Sequence, residues 1–199
     1  MYFTSTMVSP APHDPVDEEA RRRLARLRGA AVLVSDEGLK DPNFDSAVVL
    51  VCVHNSDGAY GLVINRPSHM PLSELFDGFA GVDRKKKMYV GGPVRQEDLQ
   101  ILQVTASPVP DAYRICDRVH LGGRWESIET ILDEEGSSTR VFLGYSGWGP
   151  GQLEHEILAG AWEVYLPDIE RLLLLPDERI TGPLSGIQAT LIGLCGLRE

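Results

Sequence analysis

The sequence predicts a mixed α/β domain of the α+β kind, with a largely antiparallel central sheet covered by helices. Three observations point there. Two continuous apolar runs, Ala47–Val53 and Ala59–Ile64, bracket the turn-forming His54-Asn55-Ser56-Asp57-Gly58, which is a β-hairpin signal. Neither run alternates apolar with polar residues, so both faces of these mid-sheet strands must be covered. Amphipathic helical patterns stand before and after them, and 199 residues with 43% hydrophobic content supply one ordinary core. The predicted organisation is a disordered terminus at 1–13, a helix within 14–28 and one domain over 29–199.

Residues 1–13 are rich in Ser, Pro and Thr and read as a mobile terminus. Asp14 can cap a helix whose first position is Pro15, Asp17, Glu18 and Glu19 suit its positive end, and arginines follow. Val16, Ala20, Leu24 and Leu27 share one face of this helix, 15–28, which predicts docking on the body or on a second subunit. Ala30–Ser35 begins the core as a strand. Pro67 ends the second hairpin strand, Leu72–Phe79 reads as a short helix, and Lys87–Val90 is extended until Gly91-Gly92-Pro93 breaks it.

Leu99–Thr105 and Ala112–Cys116 read as a strand pair, followed by a helix near Arg124–Glu135 with Trp125, Ile128, Ile131 and Leu132 inward. Thr139–Tyr145 is a strand. The glycine-dense Gly144–Gly151 reads as a turn into a helix that runs to Gly160, and Trp162–Leu166 extends again. In the tail, short helical pieces carry a stripe of Leu184, Ile187 and Leu191 suited to docking or self-association.

Charge and cysteine usage narrow the function classes. A formal charge of −10 and a pI near 5.0 disfavour nucleic acid, whose phosphates repel such a body. Residues 1–28 are the exception, with Arg21, Arg22, Arg23, Arg26 and Arg28 against Asp14, Asp17, Glu18 and Glu19, an arm close to self-neutralised. Arg84-Lys85-Lys86-Lys87 reads as a solvated loop cluster. Cys52, Cys116 and Cys195 are far apart and form no CxxC pair, so neither a disulfide framework nor a zinc site is indicated, and Cys52 reads as core. No apolar run is long enough to span a membrane, and the first thirty residues lack a signal peptide's apolar centre, so a cytoplasmic location is expected.

Three motifs stand in order along the chain: His54-Asn55-Ser56-Asp57-Gly58-Ala59-Tyr60 running into GLVINRP (Gly61–Pro67), GGPV (Gly91–Val94), and GYSGWGPGQLEHEI (Gly144–Ile157) followed by Gly160 and Trp162. In this order and spacing they resemble the AlgH/YqgE family of bacterial proteins. The resemblance implies a mixed α/β fold with a coiled central sheet, no assigned activity in most members, and the regulatory association with alginate production behind one family name. Two departures are visible. The N-terminal helix lies ahead of the family's usual start, and the tail after Leu175 lacks the tryptophan-containing ending of many members.

The motif residues admit several chemistries. Ser146 stands where a hydrolase elbow would place its nucleophile, but the glycine required two residues later is Trp148, and the resemblance implies alanine at this position in many relatives. His155-Glu156 begins like a zinc helix, yet the residue four after His155 is Ala159, so no metal and no cofactor is expected. Gly147–Gly151 with Pro150 could expose helix N–H groups to an anion, opposed by Glu154 and Glu156; Gln152 or Glu154 capping the helix is the plainer role. Arg66 leaves a buried strand, suited either to an ion pair with Glu154 or to a ligand carboxylate or phosphate. His54 suits a hydrogen bond holding its turn, and Tyr145, Trp148 and Trp162 suit either a pocket wall or a lid on the core.

The resulting expectation is a non-enzymatic binding or regulatory module without catalytic residues. Its site is expected in the cleft after Ile64, Val90 and Tyr145, drawn from His54, Asn65, Arg66, Gly91, Gly92, Tyr145, Trp148, Gln152 and Glu154. A small molecule or a protein is the expected partner, with no membrane. The alternatives are a small-molecule hydrolase using Ser146, nucleic-acid contact through the arginine-rich helix, and a homo-oligomer built through the terminal helices.

Overall fold

A computed structural model describes residues 15–39, 41–72, 87–124 and 138–196. Helix α1 (Pro15–Ala25) precedes β1 (Val32–Ser35), the hairpin β2 (Val48–Asn55) and β3 (Gly58–Val63), then β4 (Pro67–Pro71) and β5 (Lys87–Val90). There follow β6 (Val94–Val104), β7 (Tyr113–Cys116), β8 (Val119–Leu121) and the long β9 (Ser138–Trp148). The chain continues through α2 (Gln152–Leu158), β10 (Trp162–Tyr165), α3 (Ile169–Leu174), α4 (Glu178–Thr181) and α5 (Leu184–Cys195). The sheet runs β10-β1-β2-β3-β9-β6-β8-β7, with β5 pairing both β4 and β9. Its pairs are antiparallel except β5 with β9. This is the mixed α/β, largely antiparallel architecture that the sequence indicates.

The unbroken apolar runs are covered on both faces, for the reason their lack of alternation suggests. Val48, Leu50 and Cys52 face one cluster with Ile169, Leu172, Leu173, Ile187 and Leu191, so the C-terminal helices cover that side. Val49 and Val51 face the opposite cluster, formed with Trp148, Leu153, Ile157 and Trp162 and edged by Leu24 and Leu27 of the N-terminal segment. Each such fully buried aliphatic side chain contributes about 1.5–3 kcal/mol. Val119, Ile115 and Cys116, from the far end of the strand order, share the first cluster with Val32 of β1. The sheet therefore coils around that core.

Several sequence expectations need correction. Helix α1 ends at Ala25, where the backbone tightens so that Arg26 N and Leu27 N donate to carbonyls only three residues back. Instead of a five-residue connector, the hairpin has a two-residue turn, Ser56-Asp57, because Gly58 adopts a positive φ of 128° and Asn55 Oδ1 accepts from Asp57 N. Pro67 does not end β3; β3 stops at Val63, and Pro67 opens the edge strand β4. Residues 112–116 do not pair with 99–105, since β8 lies between them and takes the ladder bonds of β6. The strand expected to stop at Tyr145 runs on through Trp148 and pairs with β3, so Ser146 lies inside a strand and not at a turn. Helix α2 stops at Leu158, short of Gly160. The helices expected over Leu72–Phe79 and Arg124–Glu135 fall almost wholly outside the described residues, as does the terminus 1–13.

The stripe at Leu184, Ile187 and Leu191 packs on the chain's own core, with Ile187 and Leu191 buried and Leu184 partly so. Helix α1 docks through Ala20 and Leu24, with Leu27 just beyond it, and Arg23 makes a 2.6 Å ion pair with Glu163 of β10. No helix among the described residues is long and apolar enough to cross a membrane.

Candidate functional site

The three sequence motifs converge at one junction, where β3, β5 and β9 cross. Gly91 N donates to Leu143 O, and Gly91 O accepts from both Val63 N (2.8 Å) and Ser146 Oγ (3.1 Å). A Cβ on Gly91 would collide with the carbonyl oxygen of Gly144, and one on Gly92 with the backbone of Tyr145. Glycine is required here because two backbones touch. The strand ends that the sequence reading set around a cleft are instead hydrogen-bonded to one another, and the junction is closed.

The side chains named from sequence disperse around this junction into three groups. Asn65 extends the sheet by proxy: its Oδ1 accepts from Val48 N and its Nδ2 donates to Ser46 O, both near 2.9 Å. Arg66 donates to Asn43 O and Asp45 O (2.6 Å), so its guanidinium clamps the loop ahead of β2 and does not reach Glu154. Tyr145 stacks on Tyr60 with ring centroids 4.6 Å apart.

The third group belongs to α2. His54 Nε2 lies 2.8 Å from Glu154 Oε1, so this histidine ties the hairpin to the helix and leaves the turn to Asn55. Partial burial pushes the Glu154 carboxyl up, but the His54 hydrogen bond, a backbone bond and the His54 charge outweigh it and hold the group below its ordinary value. Gln152 Oε1 accepts from Gly149 N within the preceding turn, while the N-cap residue of α2 is Gly151 and no side chain caps it, so neither Gln152 nor Glu154 takes the expected capping role. Trp148 is buried in the core beside Phe44 and Trp162. Sequence reasoning missed Glu156. Its Oε2 accepts from the indole nitrogens of both Trp148 (3.0 Å) and Trp162 (2.8 Å), while its Oε1 accepts from Gln152 Nε2 (2.9 Å). A glutamate between two tryptophans destined for the core was the available signal, because a buried indole N–H needs an acceptor.

Ser146 is completely buried and donates to a main-chain carbonyl, which gives it a structural part in the junction. Arginines of the N-terminal segment are engaged as well: in α1 Arg22 pairs with Glu18 and Arg23 with Glu19 and Glu163, and just past it Arg26 donates to Val164 O.

A different place has the features of a binding site. A cavity of about 310 Å³ opens between the sheet and the C-terminal helices, lined by Lys87, Tyr89, Ser138, Arg140, Leu173 and Asp177 among others. Arg140 projects from the mid-strand of β9 with its side chain only 8% exposed. Its Nη2 donates to Leu173 O and Asp177 Oδ1, each at 3.2 Å, and its guanidinium carbon lies 5.6 Å from the centre of the Tyr89 ring. Arg140 Nη1 is buried and without a hydrogen-bond partner. Burial, then the hydrogen bond to Asp177, raises the Tyr89 phenol well above its usual range despite the nearby Arg140 charge, so it remains a protonated donor. The sequence signal was weak. Arg140 sits in Ser138-Thr139-Arg140-Val141-Phe142 as one polar residue at the start of a strand, and only tertiary packing buries it.

Comparison with known proteins places the fold. A family profile described as AlgH-like matches residues 32–180. A UPF0301 protein of Chlorobaculum tepidum is 31% identical over 76% of this chain and 81% of its own length. One from Mycobacterium bovis is 32% identical over 87% of this chain and 85% of its own. The solution structure of the AlgH protein from Pseudomonas aeruginosa superposes with a TM-score of 0.66 at 25% identity, covering 98% of this chain and 94% of that one. A Corynebacterium diphtheriae protein, at 24% identity and a TM-score of 0.61, shares the fold over 83% of this chain and 87% of its own. With three quarters of its length inside the profile and its junction glycines explained by the fold, the chain belongs to the AlgH-like family.

Proposed function

We propose that this protein is a non-catalytic binding module of regulatory type, with its ligand seat in the cavity between β5, the start of β9 and the α3–α4 segment. The observation that carries this reading is Arg140: a charged side chain almost wholly buried, lining a cavity, with one nitrogen, Nη1, unmet. A buried donor left without an acceptor costs about 1–3 kcal/mol, which an acceptor reached by a shift of the guanidinium would return. The regulatory part rests on the family's association alone. The side chains of His54, Asn65, Arg66, Gln152 and Glu154 already spend hydrogen bonds on the fold, which favours the Arg140 cavity over them as the ligand seat.

The test is a thermal-shift screen of a metabolite panel on the wild type and on Leu174→Trp. Leu174 lines the cavity but is 46% exposed, so an indole there fills the seat at little cost to folding. A ligand at one hundred times its Kd stabilises by about 2.7 kcal/mol, worth several degrees in a chain of this size. Hits present in the wild type and lost in the variant are expected. Silence across the panel, or hits indifferent to the plug, would overturn the reading.

A further inference from the structure

Resting on that reading, we infer that the ligand presents a small oxyanion, a carboxylate or a phosphate group, carried on an apolar body. The charges argue for it first. The described lining carries Lys87 and Arg140 against one carboxylate, Asp177, on a protein whose formal charge is −10; Glu178, whose charge acts on Tyr89, is not part of that lining. A cation would meet the guanidinium. A neutral molecule could accept a hydrogen bond but would leave that charge uncompensated in a partly desolvated site, where ion pairing is stronger than at the open surface.

The donor set argues for it independently. A guanidinium offers its N–H groups in a planar fork that matches two oxygens of a carboxylate or phosphate. In Arg140 one prong is divided between a backbone carbonyl and Asp177 at 3.2 Å each, both long for a charge-assisted bond, and the other prong has no acceptor. Asp177 has a half-exposed side chain that accepts from Arg140 and from the Tyr89 hydroxyl, so an incoming oxyanion has to take over both bonds. The Arg140 guanidinium carbon lies 5.6 Å from the centre of the Tyr89 ring, and Ser138 adds a hydroxyl to the lining.

Size and wall chemistry set the rest of the ligand. About 310 Å³ is at the lower end of cavities that hold metabolites, and Leu173, Leu174 and Pro176 form an apolar wall beside the charged floor. A small molecule with one oxyanion and a hydrocarbon portion fits both.

The experiment titrates inorganic phosphate and, separately, acetate into 15N-labelled full-length protein and follows amide and arginine Nε–H signals. Wild type, Lys87→Gln and Arg140→Lys are compared, the last keeping the charge while losing the fork. Saturable shifts confined to 87–89, 138–140 and 173–177 are expected for one or both anions, and whichever binds identifies the preferred oxyanion. Lys87→Gln should weaken binding about threefold, as removal of a partly exposed charge does, and Arg140→Lys about tenfold or more. A well-dispersed spectrum for each variant confirms folding. Non-saturating shifts spread over surface arginines, or affinities unchanged in both variants, would overturn the oxyanion assignment. If neutral panel members shift the same residues while both anions do not, the seat stands and the oxyanion falls. If nothing shifts these residues, both fall.

Discussion

Glu156 shows how one polar residue can organise a core. Trp148 and Trp162 approach it from different elements, β9 and β10, and each donates its indole proton to the same carboxylate oxygen. Replacing Glu156 by alanine strands two N–H groups in an apolar cluster and should cost about 2–4 kcal/mol, whereas glutamine keeps an acceptor oxygen and should cost less than half as much. Urea unfolding followed by tryptophan fluorescence reads both, and equal losses in the two variants would show that the indole bonds contribute nothing. The sequence marked the two tryptophans as potential core lids but not their shared acceptor, because the partnership depends on a chain reversal between α2 and β10 that no local pattern encodes. Arg140 escaped for the same reason. A single arginine in a strand is ordinarily a solvent-facing residue, and its burial is set by α3 and α4, which pack over it from thirty residues away.

Among elements, legibility followed length and apolar continuity. The hairpin strands β2 and β3 were plain because their pattern required two covered faces, and the helices did cover both. Strands β4 and β8 were invisible: Pro67-Ser68-His69-Met70-Pro71 and Val119-His120-Leu121 are short, and their pairing partners are distant in sequence or set by bulges. Helix α1 was legible as an amphipathic piece, but its task was not. Strand β10 ends the strand order, and the α1 segment, packed beside α2, reaches it where Arg23 pairs with Glu163 and Arg26, just past the helix, donates its Nη1 to Val164 O. Sheet edges left open recruit further strands, and a covering helix is one way proteins prevent it. Removing residues 1–28 should therefore raise the average mass in light scattering relative to the full chain at equal concentration, as bare β10 edges pair. An unchanged mass would assign α1 a role other than edge protection.

At the scale of the whole molecule, the family's shared segment and the folding unit differ. The AlgH-like profile spans residues 32–180, yet α5 lies beyond it and supplies part of the same core as β1 and β2. Ile187 and Leu191 are buried to within 1%, Leu194 is 8% exposed, and Asp168 N donates to Leu194 O, locking α5 against the entrance to α3. Three aliphatic side chains at about 1.5–3 kcal/mol each amount to a large part of the 5–15 kcal/mol by which domains of this size are stable. A chain ending at Gly182 should accordingly lose its cooperative thermal transition, or melt at least about 10 °C below the full chain, since each kcal/mol is worth some 2–4 °C at this length. Circular dichroism during heating gives the answer directly. A truncated chain melting with the full-length midpoint would mean that the sheet and α3 hold the core without help. In that case, a face of the sheet exposed by the cut would have to be stable in water, which the uninterrupted apolar runs of β1 and β2 make physically untenable unless another copy of the chain covers it.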